Sequence, residues 1–227
     1  MPAPLDAPQH TVRDRPAAVD GGPGQPAAEI GERILVRVAP EAIACACQHR
    51  SLRARAARVA DSLFVCRWLR RGDWDRRTFA FQDHETARLV AAVIERDWNP
   101  EACLEPLIAY YRWRGQPEPE DRARRKLADY LARYRALAED LLANGYQAGR
   151  ARDEIGVALA RDGRLVKVSG GNHRLALAQQ LGLAEIVVQI RFAHAGRYPV
   201  RTWLRAGEAR ARIRADAAAL GQLAENR

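Results

Sequence analysis

The sequence predicts an α+β protein, with a mainly helical N-terminal region followed by a small ββαβ domain. Three observations lead there. An apolar period of three to four residues runs through 118–144. It gives way to two short β-rich runs joined by Arg161-Asp162-Gly163. A glycine pair then opens an alanine-rich helix that leads into Ile186-Val187-Val188-Gln189-Ile190.

Taken in order, residues 1–28 are rich in Pro, Ala, Gly and Asp and are expected to form a disordered leader. Arg33-Ile34-Leu35-Val36-Arg37-Val38, closed by Pro40, predicts a short strand before a helix. Ser62 to Trp68 predicts a second strand, closed by the turn residues Gly72-Asp73-Trp74-Asp75. Ala87, Val90, Ala91, Ile94 and Trp98 line one face of a helix over 83–98 that Pro100 should stop. Leu127, Tyr130, Leu131, Tyr134, Leu137, Leu141 and Leu142 form the apolar stripe of the strongest helix, with Gly145 at the left-handed cap position. Ile155–Leu159 and Leu165–Val168 then form a hairpin. Leu175, Ala176, Ala178 and Leu181 face inward on a helix ending at Gly182, and 186–190 is the closing strand. The expected divisions are 1–28, 29–118, 119–194 and 195–227. The last is a basic helical tail with Trp203, and Arg191, Arg197, Arg201, Arg205, Arg210, Arg212 and Arg214 are grouped as its arginines.

The formal charge of +9 favours anionic partners, although only Lys126 and Lys167 among 37 basic residues are lysine, a bias expected of a GC-rich genome. Four irregularly spaced cysteines do not make a disulfide framework. Cys45-Ala46-Cys47-Gln48-His49 has three soft ligands but lacks a fourth and the usual spacing, so no metal site is expected. Apolar stretches such as 89–94 fall short of the roughly 20 residues of a membrane helix. No membrane partner is expected, and the cytoplasm is the expected location.

The chemistry is expected at Val168-Ser169-Gly170-Gly171-Asn172-His173-Arg174. Two glycines let the backbone turn sharply between a strand and a helix, and the first amides of that helix then present N–H groups and the positive end of its dipole to an anion. Ser169, Gly170, Gly171 and Asn172 would line the bound group, Arg174 would grip two phosphate oxygens, and His173 would donate to the phosphate or move a proton. Lys167 is a further charge partner if it faces inward. Asp153 and Glu154 are the carboxylates available as a base, with Glu154 carried forward as catalytic together with His173. Trp74, between two aspartates, is either a cover over a substrate or a packed edge residue. His84 and His194 are expected to be structural, the latter within reach of the pocket mouth.

The order of helix, strand, Asp-Gly turn, strand, Gly-x-His-Arg turn, alanine-rich helix and strand resembles the N-terminal domain of the ParB/sulfiredoxin superfamily over about 55 residues. The resemblance implies binding of ATP, ADP or CTP phosphates with Mg²⁺ at Gly170, Gly171, His173 and Arg174, and NTPase or small-molecule phosphotransferase activity. Asn172 stands where sulfiredoxins need cysteine, which argues against sulfinic-acid repair, and 37 residues after Ile190 leave no room for the DNA-reading domains of partition proteins. The upstream tryptophans resemble an uncharacterised bacterial ParB-like group. Two rivals follow: a nucleic-acid-binding or nuclease protein, and a non-catalytic module that senses a phosphorylated ligand or packs against a protein.

Overall fold

A computed structural model describes residues 33–47, 64–150 and 153–222. The leader expected over 1–28, together with Gln48 and His49, lies outside the described residues. Within them one mixed sheet contains eight strands: β1 (Ile34–Val38), β2 (Cys45–Cys47), β3 (Phe64–Cys66), β4 (Leu69–Arg70), β5 (Thr78–Ala80), β6 (Ile155–Leu159), β7 (Leu165–Ser169) and β8 (Ile186–His194). The helices are α1 (Glu85–Glu95), α2 (Pro100–Trp113), α3 (Pro119–Asn144), α4 (Asn172–Gln180), α5 (Val200–Trp203) and α6 (Ala206–Leu220). The chain is thus α+β.

β8 is the hub. β6 runs parallel to it along one edge, with Val157 opposite Ile190. The other edge is shared between antiparallel β1, from Ile34↔Ile190 to Val38↔Ile186, and parallel β4, with Leu69 opposite Ala193. β3 pairs outside β4. On the far side of β6 come its hairpin partner β7, then parallel β2, then antiparallel β5. A strand flanked on both edges and covered on both faces needs a continuous apolar run, which explains why Ile186, Val187 and Val188 are all buried. Strands from before α1 therefore join the same sheet as the hairpin, and the expected division at 118/119 falls within residues that share this sheet. β2, β4 and β5 are two or three residues long, too short for alternation to register as a sequence pattern.

Helices α1, α3 and α4 bring Ala87, Val90, Ala138, Leu141, Leu175 and Leu177 into the same core as Ile155, Val157 and Ile190. A second cluster around Cys103, Leu107, Ile108 and Leu131 binds α2 to α3. Pro100 does not end the preceding helix, as expected from the sequence, but begins the next. Asp97 and Trp98 take positive φ values of 46° and 59°, Asn99 accepts hydrogen bonds from Glu101 N and Ala102 N, and Pro100 occupies the first turn, where it has no amide to lose. The closing strand extends to His194, so Arg191 belongs to the sheet and not to the tail. Among the described residues no helix is long and apolar enough to cross a membrane.

The Gly72–Asp75 turn is tied to the hairpin by charge. Buried Asp75 receives Arg161 Nε on Oδ2 and Arg161 Nη2 on Oδ1, both at 2.8 Å, and Arg161 N on Oδ2 at 3.1 Å. The Arg161 fork also reaches Asp73 at 2.8 Å. Trp74 is a packed edge residue: its ring meets Phe192 edge-on at 5.1 Å and lies 5.8 Å from His194. Burial alone would raise the Asp75 pKa, but the Arg161 hydrogen bonds and nearby His194 outweigh it and hold the carboxyl below its ordinary value. This contribution is complete above the ordinary carboxylate pKa and is lost as pH falls through the lowered one. Arg161→Ala should leave the buried Asp75 carboxylate with the residue-161 amide but without its guanidinium partner, and reduce unfolding free energy by about 2–3 kcal/mol in urea titrations at neutral pH. A loss below about 1 kcal/mol would contradict this account.

Candidate functional site

The turn between β7 and α4 takes its shape from two left-handed residues in succession, Gly170 at φ 53° and Gly171 at φ 67°. A Cβ on Gly171 would stand 2.8 Å from Ile155 Cγ1 and 3.1 Å from Ile155 Cα, so only glycine lets the start of α4 rest on the start of β6. Gly171 caps α4 without a side-chain hydrogen bond, and Leu175 N, 2.9 Å from Gly171 O, makes the first bond along the helix. The amides of Asn172, His173 and Arg174 lie ahead of that bond, at the positive end of the helix dipole. Ser169 and Gly170 beside them are exposed.

Arg174 turns back across this junction. Its Nη1 donates to Tyr146 Oη at 2.8 Å and lies 3.5 Å from Glu154 Oε2, while Nη2 donates to the Asp153 carbonyl. Glu154 is buried, accepting from Tyr146 Oη at 2.6 Å on one oxygen and from Gly149 N at 2.6 Å on the other. Burial and the bond to Glu154 push the Tyr146 phenol up, so Tyr146 stays a neutral donor, though nearby Arg174 acts the other way. With both oxygens engaged inside the protein, Glu154 holds Tyr146 and Gly149 and steadies Arg174. It does not face an incoming substrate, and the expectation of Glu154 as a catalytic base is corrected accordingly. Asp153, its neighbour, is exposed.

Two more cations adjoin the turn. Lys167, opposite Val157, is buried, and its Nζ donates to Ser169 O at 2.8 Å. Burial first, then the charges of Arg174 and Arg191, bring its pKa down to about 7. Arg191 lies 3.8 Å from Asp153, its Nε is buried without a hydrogen-bond partner, and burial lowers its pKa as well. Gly156 makes room for this approach, because a Cβ there would collide with Ser169 and come within 3.1 Å of Arg191 Nε. Three basic side chains from β7, α4 and β8 thus stand at one strand-to-helix turn, beside two carboxylates. Arg191 went unnoticed as a site residue, although the apolar run resumes at Phe192-Ala193 and so marks it as lying inside a strand.

His173 contributes its amide to the turn, but its ring leaves. It stacks on Tyr134 at 4.2 Å and meets Tyr130 and Tyr110 edge-on at 5.8 and 6.0 Å, with Nε2 buried and unpartnered. Burial, then Arg114, Arg133 and His84, take its pKa to about 3, so the ring is neutral at pH 7. The expected proton-moving role of His173 is therefore corrected: its environment is an aromatic core, not a solvated anion site. Asn172 points its amide toward His84 Nε2 at 3.4 Å, and His84 Nδ1 caps α1 at Thr86 N. His194 serves a structural end, meeting Gly72 O at 2.7 Å and Arg161 at 3.1 Å. In the tail, Arg197 and Arg212 are taken up in ion pairs with Asp216 and Glu208.

His173→Phe should fold with equal or greater stability at neutral pH, because it keeps the stacking area and removes a buried nitrogen without a partner. The folded pKa lies far below the ordinary 6.5, so the unfolded chain takes up this proton first. Stability from a neutral His173 is complete above about pH 6.5 and declines toward pH 3. Denaturant titrations from about pH 7 to pH 5 should show a smaller decline in the variant. Equal declines would contradict the burial of this ring.

No family model, curated protein or solved structure matches the chain, so its chemistry rests on the residues of this turn.

Proposed function

We propose that the chain is a nucleotide-binding protein of ParB/sulfiredoxin type, holding the phosphates of ATP, ADP or CTP at the Gly170–Arg174 turn. The observation that carries this reading is the convergence of Lys167, Arg174 and Arg191 at the uncapped start of α4. A phosphate there meets backbone N–H groups, a helix dipole and charged donors together, the combination that stabilises an oxyanion most. Arg174 is held at the start of α4 by Tyr146 and Glu154, and Arg191 supplies a donor whose Nε has no hydrogen-bond partner among the described residues. Ser169, exposed at the end of β7, adds a hydroxyl.

Among the described residues no group of three or more His, Cys, Asp or Glu side chains is placed to hold a metal ion. Mg²⁺ would reach the site on the phosphates themselves, as hard, strongly hydrated cations usually do. If the terminal phosphoryl group is transferred, the protein's part is to orient it and neutralise its charge. Asp153 is then the carboxylate that faces solvent, where a hydroxyl acceptor or water would stand.

Calorimetry with ATP, ADP and CTP in the presence of Mg²⁺ tests the reading. Micromolar binding should weaken by about 10- to 100-fold in Arg174→Ala, the scale of a lost charged hydrogen bond. Because that change also unpairs buried Glu154, Arg174→Gln combined with Glu154→Gln, and separately Arg191→Gln, should lose affinity while remaining folded. Binding unaffected in all three variants, or no binding of any nucleotide, would refute the proposal.

A further inference from the structure

We propose that Lys167 is the proton-accepting member of the anion seat: an oxyanion bound at the Gly170–Arg174 turn brings one proton with it, taken up from solvent by the Lys167 amine. The inference rests on the phosphate-seat reading and assigns its regulation. It makes the seat select densely charged oxyanions and release them as pH rises.

Composition gives the first support. The chain uses arginine at all but two of its 37 basic positions, and one of the two lysines is buried beside this turn. Arginine stays charged at every physiological pH, whereas a buried lysine can give up its proton. At 167 the chain therefore places beside this turn a basic side chain able to become neutral.

Geometry gives the second. Lys167 Nζ is held to the Ser169 carbonyl at 2.8 Å, at the end of the strand that feeds the turn. The charged and titratable groups that act on it are Arg174 from α4, Arg191 from β8 and Cys47 from β2. The two arginines oppose its charge. Two carboxylates pair with those arginines: Glu154 lies 3.5 Å from Arg174, and Asp153 lies 3.8 Å from Arg191. An empty seat therefore favours the neutral amine, consistent with a pKa of about 7. An oxyanion in the seat reverses the local sign and favours the ammonium. The balance is one amine plus one solvent proton giving one ammonium, with no other bond changed. By linkage, the oxyanion binds more tightly at low pH, and its affinity falls as pH rises above the empty-state value.

The lysine count also makes the test clean. Protein carrying ¹³C- and ¹⁵N-labelled lysine should give two side-chain signals, with exposed Lys126 as the internal control. Sulfate is the probe, because its own charge is constant between about pH 6 and pH 9. The Lys167 midpoint should lie near 7 without sulfate and rise by at least about one pH unit when sulfate saturates, while Lys126 stays unmoved. Over the same range sulfate affinity should fall by up to about tenfold per pH unit, and Lys167→Arg should bind sulfate without that dependence. Sulfate that binds with the Lys167 midpoint unchanged, or with the same pH dependence in Lys167→Arg, would overturn the inference and leave the seat standing. Failure of sulfate, ADP and ATP alike to bind would remove the seat and the inference together.

Discussion

Positive charge is costly to bury, and three basic side chains, Lys167, Arg174 and Arg191, lie close together around the Gly170–Gly171 turn. Glu154, itself buried, stands against Arg174, while Asp153 is exposed and more distant from Arg191. Lys167 is held by a carbonyl, a neutral partner. With Lys167 protonated, two carboxylates stand against three cations and leave a positive excess, and burial together with that excess lowers the Lys167 pKa to about 7. An oxyanion bound at the start of α4 would offset that excess, and the uncapped amides of α4 add to the attraction.

The excess depends on close packing. Gly171 lets α4 begin directly on Ile155, and Gly156 lets Ser169 and Arg191 approach the hairpin. A methyl group at either position would push the cations apart. Side chains from elsewhere in the chain support this junction. Tyr146, two residues beyond α3, and Glu154 hold Arg174, and the aromatic rings of α2 and α3 draw His173 inward, anchoring the first turn of α4 by its side chain. His173 thus acts as a packing anchor beside the proposed anion site, whose donors would be backbone amides, arginines and one lysine.

Much of the hairpin and of the turn was legible in the sequence, because Asp162-Gly163, the glycine pair and the apolar runs are local signals that survive without tertiary context. The stripe of α3 was equally clear. What escaped was whatever depends on pairing across long separations. Cys45–Cys47 becomes a strand because β7 offers it an edge, and Leu69-Arg70 because β8 does. Pro100 reads as a stop until Asn99 is recognised as a cap. The direction of a first-turn side chain is also invisible locally: His173 and Arg174 are neighbours in sequence, yet one enters the aromatic core and the other turns back to Tyr146 and Glu154. Lys167 was a candidate only on condition of its facing inward, and its burial turns that condition into a chemical property.

The central claim is that the start of α4 holds phosphate. Its most direct measurement is a titration with ADP and Mg²⁺ followed by the backbone amide resonances of the assigned protein. The account predicts saturable shifts greatest at Gly171, Asn172, His173 and Arg174, with the Arg191 Nε signal moving in step. Shifts confined to other segments, such as the arginine-rich helix α6, or no saturable shift at all, would contradict it.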